Sequence, residues 1–160
     1  VQFTLRIIGE GGYKNWLRKE VSDLPADLRR RVTLVDMMLP EQLDAAWRET
    51  DVCLLVSNTE SGGISMLEAM AQGCASVSTR TPGPSEIVKH GETGFLTAID
   101  DMREMAQYIA RLDADSGFRR DPIWFVKDAK SATQLYLDKN TPEAAEKALG
   151  IYQRMVRLGV

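Results

Sequence analysis

The sequence has little of the chemistry that metal sites, disulfides and membrane spans require. Its 160 residues include two cysteines and one histidine, with no close-spaced cluster of the two types that would make a zinc site. No apolar run approaches the roughly 20 residues that cross a bilayer, and no signal peptide pattern opens the sequence. We therefore expect a cytoplasmic protein without a metal or a cofactor, with Cys53 and Cys74 as buried free thiols rather than a disulfide.

The sequence also lacks an excess of positive charge. Its formal net charge is -3 and its pI is about 5.3, which gives no general attraction to nucleic acid or to an acidic membrane. The Arg29-Arg30-Arg31 run is interpreted as a solvated helix end rather than a nucleic-acid patch. A partner that carries phosphates would therefore need a local binding site.

Size and composition indicate one globular domain. A content of 44% hydrophobic and 27% charged residues is ordinary for a globular protein, and 160 residues can bury a substantial core. The sequence shows no repeat, no low-complexity segment and no linker. We therefore expect a single domain over residues 1–160.

The prediction of the fold starts from residues 52–73. An apolar run at 52–56 is followed by polar and glycine residues, and a helical pattern then places Ile64, Leu67 and Ala71 on one face. This order predicts a strand, a loop and a helix. The junction would leave helix amides unpaired beside two glycines that let a ligand approach the backbone, which suits a phosphate group.

Two carboxylates flank this junction, Glu60 in the loop and Glu68 in the second turn of the helix. Together they could grip a polyhydroxylated ligand beside its phosphates. The competing interpretations are an ordinary loop carboxylate for Glu60 and a solvated helix residue for Glu68. A glycosidase acid and nucleophile is disfavoured, because nothing else in the sequence builds a sugar cleft for hydrolysis.

Strands and helices are predicted to alternate along most of the chain. The strands are expected at 3–8, 32–35, 52–56, 74–78 and 94–97. Four helices are expected between them: one at 13–21, one that begins at Pro40 or Glu41, one that begins after Gly63 and ends at Gly73, and one at 86–88 with Ser85 as its cap. Three more helices are expected at 102–113, 122–138 and 142–158. This order indicates an α/β fold, a Rossmann-like parallel sheet with flanking helices and three C-terminal helices. The loops 9–12, 36–38, 57–63 and 79–84 would follow the carboxyl ends of the strands and form a cleft there.

Three other features have competing interpretations. The Gly9 to Gly12 turn lacks the third glycine of a dinucleotide fingerprint and is interpreted as a tight turn between strand and helix. His90 is the residue type of a general base, but its neighbours indicate a structural position at a helix end. Glu86 either supports the site or forms part of a helix cap with Ser85.

Several ordered motifs resemble one family. Ile7-Ile8-Gly9-Glu10-Gly11, the segments 51–57 and 60–73, and the segment 84–88 leading to 91–96 resemble the retaining glycosyltransferases with the GT-B fold, of the glycosyl transferases group 1 type. The resemblance covers residues 5–112 in register. It implies the C-terminal, donor-binding half of such an enzyme. That half would bind a UDP- or GDP-sugar for retaining transfer of a hexosyl group to a glycan or lipid-linked saccharide.

The resemblance also implies roles for single residues. Glu68 would hold the ribose hydroxyls, Glu60 would contact the transferred sugar as an orienting and electrostatic residue, and Met37 lies in the loop near which the base is held. Contacts to sugar hydroxyls and the diphosphate would come from backbone amides, those of Gly62, Gly63, Ile64 and Ser65. Cleavage of the bond between sugar and phosphate develops negative charge on the diphosphate, which amides and a helix N-terminus stabilise. A carboxylate stabilises the positive charge at the sugar, and no protein nucleophile is implied.

The sequence departs from the family pattern in two places. The usual Glu-Gly-Phe-Gly-Leu is Glu60-Ser61-Gly62-Gly63-Ile64 here, which removes an aromatic side chain from the sugar pocket but keeps the backbone donors. The family's first strand-helix unit, with an arginine and a lysine for the diphosphate, and its acceptor domain have no counterpart. The missing strand would lie between 3–8 and 52–56. We expect the gap to be closed by re-pairing, or by a strand from a second copy in a homodimer, and this chain alone to be inactive.

Two other classes of function stay open at this point. One is a non-catalytic, GT-B-like binding or interaction domain, which would lose nothing if Glu60 were mutated in the complete protein. The other is a sugar-nucleotide epimerase of the same fold, which needs acid and base residues of its own. Peripheral contact of a longer protein with a membrane is also left open.

Overall fold

The computed structural model describes residues 3–114, which fall into two compact units that divide between Leu43 and Asp44. Each unit is described by itself. The helices predicted at 122–138 and 142–158 lie outside the described residues. The single domain expected over residues 1–160 stays a prediction.

The first unit is a two-stranded parallel sheet with short helices. Its elements are β1 (Leu5–Ile8), α1 (Lys14–Asp23), α2 (Ala26–Arg29), β2 (Val32–Val35) and the beginning of α3 (Pro40–Arg48). The strands pair from Leu5 with Val32 to Ile8 with Val35, and both are rich in β-branched residues that favour extended backbone. None of the described residues up to Leu43 is fully buried.

The second unit is a three-stranded parallel sheet with helices between its strands. After the end of α3 it contains β3 (Val52–Leu55), α4 (Ile64–Ala71), β4 (Ala75–Thr79), α5 (Pro82–Ile87), β5 (Phe95–Thr97) and α6 (Met102–Ala114). The strand order is β3-β4-β5. Both pairs are parallel, in the α/β order that the sequence predicts.

The core of the second unit lies around β4. Val77 of β4 and Phe95 of β5 pack with Met105 and Leu112 of α6, and all four side chains are buried. The apolar period predicted at 102–113 therefore faces this core, except that Met102 is exposed at the start of the helix. Cys53 and Cys74 form a second buried cluster and are free thiols, as predicted.

Helix α4 is buried more widely than its sequence pattern predicts. The expected face of Ile64, Leu67 and Ala71 is only partly buried, whereas Met66, Ala69 and Met70 are buried. The reason is that α4 packs on two sides. Met66 and Met70 belong to the cluster that includes α5 residue Ile87, while Ala69 contacts the two cysteines, Cys53 and Cys74.

Two short helices differ from the sequence predictions. The segment from Thr81 to Pro84 was expected to be a loop with Ser85 as a helix cap, but α5 already begins at Pro82 and Ser85 lies inside it. Proline at the first position has the φ angle that a helix needs and lacks only an amide that the first turn leaves unpaired anyway. The four-residue helix α2 was not predicted, because one turn carries no measurable apolar period.

Within the described residues, β1 pairs with β2 in the first unit, and β3 pairs with β4 in the second. Closure of the predicted gap, by re-pairing or by a strand from a second copy in a homodimer, stays a prediction. None of the helices described is long and apolar enough to span a membrane.

Candidate functional site

The loop between β3 and α4 folds back on its own carboxylate. One oxygen of Glu60, Oε1, accepts hydrogen bonds from the backbone amides of Gly62 and Gly63, both at 2.9 Å. Gly63 is the N-cap residue of α4 and has the left-handed φ of 62°, a conformation that glycine adopts at little cost. The two glycines thus let successive amides converge on one anionic oxygen.

The amides also stabilise the charged form of Glu60. Their hydrogen bonds, from Gly63 first and Gly62 second, lower the pKa of the Glu60 carboxyl below its ordinary value of 4.5, against the opposing effect of partial burial. Hydrogen bonds to a carboxylate favour its charged form. Glu60 is therefore an ionised carboxylate at neutral pH, fixed at the start of a helix.

The first turn of α4 offers further amides. Met66 and Leu67 donate their backbone amides to the carbonyl of Gly63 at 3.0 and 3.1 Å. The amides of Ile64 and Ser65 come earlier, where a helix supplies no acceptor of its own. Because the partial positive charge of the helix is concentrated at this end, the turn favours an anionic group.

Glu68 lies in the second turn of α4 and is half-buried. It follows Ile64 by four positions, so the two residues share one side of the helix. The structure therefore carries Glu60, the glycine amides and Glu68 on one continuous loop and helix, as the sequence predicts. Contact of any of these residues with a ligand stays a prediction.

The β4–α5 segment (residues 79–87) packs against this loop. The Thr79 hydroxyl donates to the carbonyl of Ser57 at 2.6 Å and accepts from the amide of Ser57 at 3.1 Å. The amide of Gly83 donates to the backbone carbonyl of Glu60 at 2.9 Å. Sequence reasoning placed the loop 79–84 at this edge but assigned no role to Thr79 or Gly83. The available signal was a glycine between two prolines, Pro82 and Pro84.

Met37 belongs to the first unit, at the carboxyl end of β2, and its side chain is 76% exposed. Its neighbour Asp36 forms ion pairs with Lys14 and, at 4.0 Å, with Arg18. The hydrogen bond and charge of Lys14 lower the pKa of the Asp36 carboxyl. Met37 belongs to the first unit and Glu60 to the second, and each unit is described by itself. Contact of Met37 or its loop with a base stays a prediction.

His90 has structural partners. Its Nδ1 accepts the backbone amide of Leu96 at 3.0 Å, so that nitrogen carries no proton, and its Nε2 lies 3.4 Å from the Tyr108 hydroxyl oxygen. The Tyr108 hydroxyl in turn donates to a carboxylate oxygen of Glu104 at 2.9 Å. The ring therefore links β5 to α6, which agrees with the structural interpretation of this histidine.

Metal ligands do not gather in the described part of the chain. No group of three or more His, Cys, Asp or Glu side chains within residues 3–114 is arranged to hold a metal ion. The expectation of a metal-free site stays a prediction.

Curated relatives match part of the chain. The chain is 35% identical over 123 residues to the D-inositol 3-phosphate glycosyltransferase of Pseudarthrobacter chlorophenolicus, covering 76% of this chain and 29% of that protein. It is 38% identical over 72 residues to the N-acetyl-alpha-D-glucosaminyl L-malate synthase of Bacillus anthracis, covering 45% of this chain and 19% of the relative. The chain thus spans less than a third of the length of either protein.

Solved structures share the fold. A variant of TarM from S. aureus, in complex with fondaparinux, alpha-GlcNAc-glycerol and UDP, superposes with a TM-score of 0.68 at 23% identity over 93% of this chain and 29% of that chain. Anabaena HepE in complex with UDP-glucose gives a TM-score of 0.63 at 22% identity over 97% of this chain and 40% of that chain. At these identities the likeness establishes the fold, the Rossmann-like architecture of GT-B glycosyltransferases.

The family assignment rests on the first 115 residues of the sequence. The family described as Glycosyl transferases group 1 matches residues 1–115. The match includes the whole loop between β3 and α4, residues 56–63 (the Glu60 loop), and the helices α3 and α4. The parallel strands, the glycine-rich junction and the two glutamates all lie inside this match. The chain therefore belongs to the Glycosyl transferases group 1 family.

Proposed function

We propose that the chain binds the donor of a retaining glycosyl transfer, a nucleotide-diphosphate sugar, within a protein that also supplies an acceptor site. One observation carries the proposal: an ionised carboxylate, Glu60, held by two glycine amides at the N-terminus of α4, one turn before a second glutamate, Glu68. This arrangement offers amide donors for phosphate and carboxylates for hydroxyl groups. A sugar nucleotide is a ligand class that presents both.

Glu60 is assigned to the transferred sugar. Its Oε1 is held by the loop, so the hydroxyl contact is assigned to Oε2. Its negative charge opposes the positive charge that develops at the anomeric carbon as the bond to phosphate breaks. Because the amides of the loop fix this carboxylate, it needs little reorganisation when the charge develops.

The diphosphate is assigned to the first turn of α4. The amides of Ile64 and Ser65 have no acceptor within the helix and lie at its positive end. The amides of Gly62 and Gly63 already hold Glu60, so they reach a ligand only if that carboxylate releases them. Glu68, farther along the same helix, is assigned to the ribose hydroxyls.

Two proteins of the same fold support this choice of donor. HepE has been crystallised with UDP-glucose, and the TarM variant with UDP. We propose a UDP- or GDP-sugar, bound without a metal ion. Transfer would be of a hexosyl group, with acceptor and leaving group on one face of the sugar and no covalent intermediate with the protein.

A titration with two sugar nucleotides tests the proposal. We expect isothermal titration of the chain with UDP-glucose and with GDP-mannose to show saturable binding of one of them. The Glu68→Gln variant should bind about tenfold more weakly, since a carboxylate that bonds ribose hydroxyls contributes roughly 1.5 kcal/mol. Glu92→Gln is the matched control, because Glu92 is exposed in the turn before β5.

Two results would contradict the proposal. One is a folded chain that binds neither nucleotide at millimolar concentration. The other is equal affinity of wild type, Glu68→Gln and Glu92→Gln, which would place the nucleotide elsewhere. Circular dichroism of each variant establishes that the fold is retained.

A further inference from the structure

We propose that Thr79 and Gly83 are positioning residues that hold the Glu60 loop in its donor-binding conformation. This inference rests on the proposed function for the role of the loop, and on the contacts of the β4–α5 segment for the assignment. Neither residue is placed against the ligand. Both act on the backbone that carries Glu60, Gly62 and Gly63.

Thr79 fixes the beginning of the loop. Its side chain is buried, and its single hydroxyl both donates to the Ser57 carbonyl at 2.6 Å and accepts from the Ser57 amide at 3.1 Å. Both backbone polar groups of Ser57, its amide and its carbonyl, are thus hydrogen-bonded by the Thr79 side chain. A side chain of the same shape without the hydroxyl would leave the amide and carbonyl of Ser57 unpaired in a half-buried position, which is costly.

Gly83 fixes the part of the loop that carries the carboxylate. Its amide donates to the Glu60 carbonyl at 2.9 Å. A Cβ at Gly83 would lie 2.8 Å from the Gly62 nitrogen and 2.8 Å from the Ser61 carbonyl carbon. These atoms are backbone and cannot rotate away, so any side chain at Gly83 displaces the loop peptide whose amide holds Glu60.

The two residues act on adjoining stretches of one short loop. Thr79 holds Ser57, and Gly83 holds Glu60 and the Ser61–Gly62 peptide. Two sets of contacts therefore fix the position of Glu60: those of its carboxylate with the loop amides, and those of the loop backbone with the β4–α5 segment. A change at Thr79 or Gly83 should loosen the Glu60 carboxylate from its amides without removing any group that touches a ligand.

The ionisation of Glu60 reports this effect directly. We would follow the side-chain carboxyl carbon of Glu60 by NMR during an acid titration of wild type, Thr79→Val, Thr79→Ser and Gly83→Ala. In wild type the pKa should lie below the ordinary value, because the amides of Gly62 and Gly63 bind the carboxylate. Thr79→Val and Gly83→Ala should raise it toward the ordinary value, and Thr79→Ser, which retains the hydroxyl, should not.

Two control variants make the same chemical changes in or just before β5, the strand that pairs with β4 on the side opposite β3. Thr97→Val removes a hydroxyl from a buried threonine of β5 whose Oγ1 lies 3.5 Å from the Ser78 carbonyl oxygen. Gly94→Ala adds a Cβ that would lie 2.7 Å from the Ser76 carbonyl oxygen. Both controls should lower stability while leaving the Glu60 titration unchanged.

The outcomes separate the two proposals. If Gly83→Ala does not fold, the positioning role is tested by the Glu60 pKa in Thr79→Val, compared with the Glu60 pKa in Thr79→Ser and Thr97→Val. An unchanged Glu60 titration in Thr79→Val, or an equal rise in Thr97→Val, overturns the positioning role. In a wild type that binds UDP-glucose or GDP-mannose, Thr79→Val should weaken that binding about tenfold. Absence of binding in wild type would refute the proposed function and leave the titration to test positioning.

Discussion

Glu60 binds the amides of its own loop through one of its two carboxylate oxygens. The amides of Gly62 and Gly63 both donate to Oε1 at 2.9 Å. The sequence shows the carboxylate and the glycines, but not the left-handed turn at Gly63 that brings the amides to it. That turn depends on the φ of single residues, which hydrophobic periodicity does not report.

The Glu60 carboxylate should contribute a measurable pH dependence to stability. Its pKa is lowered in the folded chain, so its contribution is present above the ordinary value of 4.5 and is lost as pH falls through the folded value. We expect Glu60→Gln to unfold at lower urea concentration than wild type at pH 7, and the difference to shrink in acid.

Asp36→Asn provides the matched control for this pH dependence of stability. The Asp36 pKa is also lowered, by Lys14, but the group is fully exposed and its pairing is screened by salt. Raising the salt concentration should therefore abolish the effect of Asp36→Asn while preserving most of the effect of Glu60→Gln. A Glu60→Gln effect that stays constant from neutral to acid pH would contradict the assignment.

Gly63 should not tolerate a side chain. Its φ of 62° is strained for other residues, and a Cβ would lie 3.0 Å from Cδ1 of Ile87. We expect Gly63→Ala to lower the free energy of unfolding by about 1–2 kcal/mol, as measured by urea denaturation. Gly12→Ala is the control, because a Cβ at Gly12 meets no atom within 4 Å; equal effects of the two substitutions would refute this account.

At the scale of elements, the sequence predicted the long helices and the strands better than the short helices. Helix α6 was expected at 102–113 and is found at Met102–Ala114, because its apolar residues repeat over three turns. Helix α5 has six residues, and its start depends on Pro82 rather than on a periodic pattern. Strand order and the contacts of Thr79 and Gly83 depend on which segments meet in space, which spacing along the chain does not give.

Two residues of α6 that share the predicted apolar period should differ in their contribution to stability. Leu112 is 0% exposed in the core beside Val77 and Phe95, whereas Met102 is 49% exposed. We expect Leu112→Ala to cost about 2–5 kcal/mol in the free energy of unfolding. Met102→Ala should change it by less than about 0.5 kcal/mol. Similar losses for the two variants would show that α6 does not pack as described.

At the scale of the whole molecule, burial is concentrated in the second unit. Every fully buried residue of the described chain lies after Leu43. Large exposed apolar side chains are frequent in the first unit, namely those of Phe3, Tyr13, Trp16, Leu28, Met37 and Leu39. The fold class could be predicted because alternation of strand and helix is a property of the whole sequence. The division between the two units could not, since no linker or change of composition marks it.

The two cysteines should report opening of the second unit. Burial raises the pKa of each thiol, to about 12 for Cys53 and about 12 for Cys74, and the exposed fractions are 2% and 1%. Because the thiolate is the reactive form, neither thiol should react with a disulfide reagent in the native protein at neutral pH. Both should react once urea unfolds the unit, and rapid labelling of either thiol without denaturant would contradict the described core.

The contacts of His90 make the junction of β5 and α6 directly observable. With Nδ1 accepting the Leu96 amide, the neutral ring carries its proton on Nε2, toward Tyr108. His90 is the only histidine in the sequence, so one set of imidazole signals in a proton NMR spectrum belongs to it without isotopic labelling. Those signals would reveal in a few minutes whether a loop variant such as Thr79→Val still has an intact second unit.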